Sequence, residues 1–310
     1  MSYSDLTDRL LSVYDQIVIY GAKGWIGKSA ASVVFSEKAH RIQRQILLVG
    51  SKTEQLINSG ELTQIYSAND AKNFVSKNCI FLNAAYLRRE KLDLYSPDEY
   101  IRKNREIIGF GENLLRQKKI KTFINLSSGV ASQNIDSVKN QGNSIYAKCK
   151  IDDEVLIKNA SDSASAALIN CRVYSISGRF LNEFENLAFS LFMKQALTKP
   201  HKITVESQNT YRSYLDAADL TTVLFHLSLN STSYMIDSGG FLVKLGQLAD
   251  KIATMIPEAS VTKLNYGNNS AHYYGDFEGF NNLAAKFEIK LLDIEGQITE
   301  TLKAFRNQIS

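Results

Sequence analysis

Tyr146 and Lys150 stand four residues apart in the run SIYAKCKIDDE, a spacing that puts both side chains on one face of a helix. A lysine one turn from a tyrosine lowers the phenol pKa electrostatically and makes it a usable acid/base toward a carbinol or carbonyl oxygen. Upstream, INLSSGVAS sets Ser127 and Ser128 at the end of an apolar run, where a hydroxyl emerges into the crevice that parallel sheets offer to ligands. Nearer the start, QIVIYGAKGWIGKSA passes from an apolar strand through Gly21, Gly24 and Gly27 into a helix. Glycines so spaced permit a tight turn and let the backbone approach a pyrophosphate, while the helix N-terminus presents N–H groups and a positive dipole end. Taken singly, a Tyr-x-x-x-Lys pair or a glycine triplet is common; their order along one chain gives them weight.

A dinucleotide with a free ribose 2′-hydroxyl is usually held by an acidic residue about 20 residues after the glycines. That place reads LLVGSK: Gly50, Ser51 and Lys52 bring no carboxylate, and Lys23 lies inside the glycine loop. Two cations and a hydroxyl suit a 2′-phosphate, so the expected cofactor is NADP, with NAD the second choice. The plainer alternative is that Lys23 and Lys52 are solvated surface lysines.

The elements that position these residues follow from periodicity. Apolar runs predict strands at residues 16–20, 45–49, 62–66, 79–82, 122–126 and 166–174, alternating with helices at 25–36, 97–118 and 144–159. Ser96 before Pro97 is a good cap followed by a favoured first-turn residue. Such alternation predicts an α/β fold with a doubly wound parallel sheet of the Rossmann type over residues 1–175. Residues 176–310 read as a smaller α/β lobe for substrate, with some segments returning to the main sheet; a strand is expected at 202–205 and helices at 216–229 and 245–255.

The 310 residues carry 36 Lys and Arg against 32 Asp and Glu, and the scattered charges leave no nucleic-acid footprint. No run is long and apolar enough to predict a signal peptide or a membrane span. Cys79, Cys149 and Cys171 are far apart, and His40, His201, His226 and His272 share no metal spacing, so a disulfide framework and a metal site are not expected, and a reducing cytoplasm is.

Taken together, the pieces GAKGWIG, LNAAY, Asn104 in YIRKNREIIGFGENLL, FINLSSGV, YAKCK, RSYLDAADL and YMIDSGGFLVKLGQLADKIA resemble the extended short-chain dehydrogenase/reductases of the NAD(P)-dependent epimerase/dehydratase superfamily. The resemblance spans residues 16 to 300 or so. It implies Tyr146 as proton donor or acceptor, Lys150 as its pKa modifier and ligand of the nicotinamide ribose, and Ser128 as hydrogen-bond partner of the reacting oxygen. It implies that Asn104 holds the helix geometry or a water near Lys150. Gly21, Lys23, Gly24, Trp25, Ile26, Gly27, Ser51, Lys52, Asn83, Ala84 and Ala85 fall along the implied cofactor path. Tyr86, Ser127, Arg179 and Arg212 fall on the substrate side, Arg212 where relatives hold the diphosphate of a nucleotide sugar. A homodimer through the helices of Asn104 and Tyr146, and a role in surface polysaccharide synthesis, are implied by the same likeness.

Gly129 and Val130 follow Ser128 where dehydratases of the superfamily carry an Asp-Glu pair, so dehydration is disfavoured, and Arg179 replaces a usual proline. The leading expectation is therefore an NADP-dependent oxidoreductase that reduces, or epimerises and reduces, a keto nucleotide sugar. The alternatives are a nucleotide-sugar epimerase with permanently bound NAD, and a non-catalytic dinucleotide-sensing protein.

Overall fold

The computed structural model describes residues 3–35, 45–58, 61–132, 141–181, 187–264 and 272–309; Ser36, the expected end of the helix at 25–36, and His40 lie outside them. The chain forms two compact units, Met1–Val173 with Thr221–Ile236, and Tyr174–Leu220 with Asp237–Ser310.

In chain order the elements are α1 (Tyr3–Val13), β1 (Gln16–Tyr20), α2 (Trp25–Val34), β2 (Ile46–Gly50), β3 (Glu54–Asn58), β4 (Glu61–Ser67), α3 (Ala68–Ala71), β5 (Cys79–Asn83), α4 (Pro97–Arg116), β6 (Ile120–Ser128), α5 (Gln141–Ala164) and β7 (Ala167–Val173). There follow β8 (Ser175–Ser177), α6 (Ala188–Leu197), β9 (Lys202–Val205), β10 (Tyr211–Asp216), α7 (Ala217–Ser228), β11 (Tyr234–Asp237), β12 (Phe241–Lys244), α8 (Leu245–Met255), β13 (Ser260–Lys263), α9 (Phe277–Lys286) and α10 (Ile294–Ile309). Every strand and helix expected from periodicity is present within a few residues of its predicted bounds.

The main sheet has the order β11-β7-β6-β5-β1-β2-β4-β3. Its strands from β7 to β4 pair in parallel, and β3 closes the edge as an antiparallel hairpin with β4. Strands β1, β2 and β5 are buried along their whole length, which is why their sequences are continuous apolar runs rather than alternating ones. On one face Phe81 and Phe123 pack with Ile108, Leu114 and Leu115 of α4 and with Ile157 of α5. Thr122 points to the other face, where its hydroxyl meets Tyr14 Oη at 2.8 Å and that phenol donates to the Ser228 carbonyl at the end of α7. Helices thus cover both faces, the Rossmann-type doubly wound arrangement.

Helix α4 begins as its sequence dictates, with the Ser96 hydroxyl accepting from the Glu99 amide and Pro97 in the first turn. Strand β4 answers to the strand expected at 62–66, whereas its hairpin partner β3 was not expected, although EQLIN ends in the turn signal Asn58-Ser59-Gly60.

The second unit holds a three-stranded sheet β12-β10-β8 and the parallel pair β13-β9. Helix α10 is tied in through Gln297, which accepts from the Ser177 hydroxyl at 2.7 Å and donates to the Tyr214 carbonyl at 3.1 Å. No described helix is long and apolar enough to cross a membrane.

Candidate active site

The carboxyl ends of β1, β2, β5 and β6 carry most of the residues singled out by sequence. Gly21 follows β1 with φ +87°, a left-handed conformation that a β-carbon strains, and a Cβ there would lie 2.6 Å from the backbone of Ala84 and Ala85. A Cβ on Gly27 would stand 2.1 Å from the Gly21 carbonyl oxygen, so the first turn of α2 rests directly on the loop. The amides of Gly21 and Ala22 both donate to the Val49 carbonyl, and the Ala84 amide donates to Tyr20 at 2.8 Å, which binds the loop to β2 and to the segment after β5. Gly24 caps α2 without any side-chain acceptor, leaving the leading amides of Trp25, half-buried Ile26 and Gly27 to an anion. Trp25 Nε1 and Asn83 Oδ1 are sealed from solvent and unpartnered beside this loop. The uncapped amides and these orphaned polar atoms fit a dinucleotide.

Asn83 itself is held in register: its Nδ2 donates to Asn125 Oδ1 at 3.2 Å, and Asn125 donates to Asn170 at 2.7 Å across β5, β6 and β7.

At the end of β2 the structure corrects the sequence reading. Glu54, the first residue of the unexpected strand β3, brings a carboxylate to the place where none was expected. It accepts from Lys23 Nζ at 2.6 Å and lies 3.6 Å from Lys52 Nζ, and these lysines hold its carboxyl below the usual range. The two cations counted toward a 2′-phosphate are therefore paired with one anion, while Ser51 is exposed at the turn.

Lys150 is buried in α5, its ammonium donating to the Leu126 carbonyl at 3.1 Å and lying 3.4 Å from the centroid of the Tyr86 ring. Burial holds it down to about 8, against the opposing pull of Asp153 and Glu154. The Tyr86 ring meets that of Tyr146 edge-on, with centroids 5.8 Å apart, so three of the predicted residues converge here.

Ser127 and Ser128 point to opposite faces of β6. The Ser127 hydroxyl donates to Glu154 at 2.5 Å, and the same carboxylate takes two hydrogen bonds from Arg172, at 3.0 and 2.8 Å. Ser127, expected on the substrate side, is thus committed to a buried ion pair. Ser128 closes β6, and its hydroxyl makes no hydrogen bond to another described residue. Asn104 is placed differently from expectation too: its Oδ1 accepts from the Leu87 amide at 2.8 Å and its Nδ2 donates to the Leu87 carbonyl at 3.4 Å, holding the segment that carries Tyr86.

Arg179 and Arg212 belong to the second unit. Arg179 is exposed with its guanidinium over the Phe180 ring, and Arg212 lies over Tyr273 at 5.2 Å, where a bridge joins the two backbones. Tyr214 is buried, its ring 5.2 Å from that of Phe189.

A doubly wound sheet with a glycine loop after its first strand and a buried lysine under the end of a neighbouring strand defines a dinucleotide-binding protein. The chain belongs to the NAD dependent epimerase/dehydratase family, whose model matches residues 17–234. A search of curated protein sequences finds no significant match. Among solved structures, the chain is similar to an epimerase from Methanothermobacter thermautotrophicus (12% identity, TM-score 0.72, covering 100% of this chain and 97% of that one). It is also similar to the UDP-N-acetylglucosamine 4-epimerase of Methanobrevibacter ruminantium, solved with UDP-N-acetylmuramic acid (15%, 0.70, 94% and 98%). A third is the UDP-glucose 4-epimerase of Thermus thermophilus, solved with NAD (14%, 0.64, 94% and 99%). At these identities the likeness is one of fold.

Proposed function

We propose that the chain binds NAD and acts on a nucleotide sugar as an epimerase. Within this reading Tyr146 exchanges a proton with a sugar hydroxyl or keto oxygen, Ser128 hydrogen-bonds that oxygen, and Lys150 lowers the phenol pKa and holds the cofactor's ribose. The bound dinucleotide would supply hydride exchange. The observation that carries the proposal is Lys150 itself: a buried ammonium fixed on the Leu126 carbonyl, one turn of α5 from Tyr146 and against Tyr86 in the segment after β5 that packs on the glycine loop. Such a charge acts in a low dielectric, where its effect on a neighbouring phenol is larger than in water.

Glu54 supports NAD over NADP, because a carboxylate at the end of the second strand accepts from a ribose 2′-hydroxyl and repels a 2′-phosphate. A second reading, NADP-dependent reduction of a keto nucleotide sugar, is favoured by the excess of Lys23 and Lys52 over that single carboxylate. Arg212, which has no ion-pair partner among the described residues, is the proposed anion ligand of the second unit. A homodimer is supported by exposed Ile101 on α4 and Val155 on α5, the two helices expected at the interface.

The test is to purify the protein without added nucleotide, denature it, identify what is released, and titrate the emptied protein with NADH and NADPH before offering UDP- and dTDP-sugars. Released NAD and tighter binding of NADH are expected. An empty protein that prefers NADPH would overturn the epimerase reading in favour of the reductase. Turnover undiminished by Tyr146→Phe would refute the assignment of the proton carrier.

A further inference from the structure

We propose that Tyr86 and Asp153 are positioning residues around Lys150, the aromatic ring fixing where its ammonium stands and the carboxyl standing buried one turn further along the same helical face. The inference rests on the reading of Lys150 as the lysine of the acid–base pair, and it moves Tyr86 from the substrate side to the catalytic helix.

The geometry is specific. The Tyr86 ring lies 3.4 Å from Lys150 Nζ, well within the range of a cation–π contact, and it is shielded from water, where such contacts are strongest. The other ligand of the ammonium is the Leu126 carbonyl, so the lysine is held between a strand end and a ring. Tyr86 is not free to swing, because Asn104 grips the backbone amide and carbonyl of the next residue, Leu87, and the Tyr100 hydroxyl donates to the same carbonyl at 2.5 Å.

Asp153 lies three residues beyond Lys150 on the same helical face, 7% exposed. Its Oδ2 and the Tyr86 hydroxyl are both sealed from solvent. They are close enough for the phenol to pull the carboxyl down, yet they complete no hydrogen bond of normal geometry. Burial pushes Asp153 up to about 6, opposed by Lys150, Tyr86 and, from α4, Arg105, and reinforced by Asp152. Burial also drives the Tyr86 phenol far above its ordinary range, so it stays a neutral ring and does not compete with Tyr146 for the proton. Lys150 in turn faces Asp153, Glu154 and Cys149, all on α5. Glu154 already carries Arg172 and Ser127, which leaves Asp153 as the carboxyl whose charge answers to the lysine.

The experiment is side-chain NMR of lysine-labelled protein, with Lys150 assigned by its loss in Lys150→Arg. The parent and Tyr86→Phe should show Lys150 ε-methylene signals displaced upfield by the ring, and Tyr86→Leu should lose that displacement. The parent Lys150 should titrate near 8, and in Asp153→Asn its midpoint should fall by about one pH unit, since a neighbouring negative charge has been removed. Undisplaced ε-signals in the parent, or a midpoint indifferent to Asp153→Asn, would overturn the positioning roles. A parallel NADH titration separates the two readings. A parent that binds NADH but shows an ordinary lysine overturns the positioning roles alone, whereas a ring-shifted lysine in a parent that binds neither NADH nor NADPH supports them and overturns the dinucleotide reading.

Discussion

Two helical glycines offer a matched test of the cofactor loop. Gly27 sits in the first turn of α2, where an added Cβ would lie 2.1 Å from the Gly21 carbonyl oxygen, whereas Gly109 sits in α4 with nothing within 4 Å of its would-be Cβ. Neither needs a positive φ, so both replacements gain the same helix propensity, about 1 kcal/mol for Gly→Ala. Real Cβ atoms essentially never approach closer than 3.0 Å, so in Gly27→Ala the helix and the loop must part by about 0.9 Å. Overpacking of that kind costs about 1–3 kcal/mol, leaving a net destabilisation of about 1 kcal/mol. The effect on binding should be larger, because the displaced groups are the amides proposed to hold phosphate. A hydrogen bond to a charged group contributes about 1.5–3 kcal/mol, so losing one weakens NADH binding by about 10- to 100-fold. Gly109→Ala should leave binding untouched and raise stability by about 0.5–1 kcal/mol. Urea unfolding gives the first quantity and NADH fluorescence the second. A Gly27→Ala protein that binds NADH like the parent, or a Gly109→Ala protein equally impaired, would refute the argument that the loop and α2 are in obligatory contact.

Three further outcomes follow from partly or fully buried carboxylates. Replacing Glu54 by Gln frees Lys23 and Lys52, so NADPH affinity relative to NADH should rise about tenfold; an unchanged ratio in competitive titration would remove Glu54 from the ribose site. Glu154→Ala strands Arg172 and the Ser127 hydroxyl, and should cost about 3 kcal/mol in urea unfolding, the lower end for a broken buried pair because a quarter of the Arg172 side chain stays in solvent. Asp219 accepts from the Leu292 amide at 2.7 Å, yet burial, with Asp216 and Glu300 nearby, pushes it up to about 7 from an ordinary 3.8. Its pKa is raised on folding, so the folded state holds a proton that the unfolded chain releases. Stability is therefore full below about pH 4, falls by about 1 kcal/mol per pH unit as pH rises toward 7, and levels off above it. Asp219→Asn keeps the accepting oxygen and should flatten that slope, measured as ΔG of unfolding between pH 4 and 8; an unaltered slope would assign the pH dependence elsewhere.

How much of this was legible depended on whether the determinant was local. The glycine loop, the Ser96–Pro97 cap and the Tyr146–Lys150 spacing each act within a turn or two of chain, so their chemistry could be read directly from residue order. Ser127 and Ser128 were distinguishable in principle, because strand alternation sends them to opposite faces, and the serine on the α5 side meets Glu154. Glu54 was not legible although its hairpin carries a turn signal, because it stands past the end of β2 on the edge strand β3, which β4 separates from β2, and only the fold brings its carboxylate back to Lys23. Tyr86 and Asp153 lay further out of reach. Helical spacing places Asp153 on the face of Lys150, but only the packed structure shows which ring covers the ammonium, and that contact spans more than sixty residues of sequence. A buried charge takes its properties from whatever excludes water around it. The sequence can therefore nominate Lys150, while the groups that fix its place and its proton come from segments with no sequence relation to it.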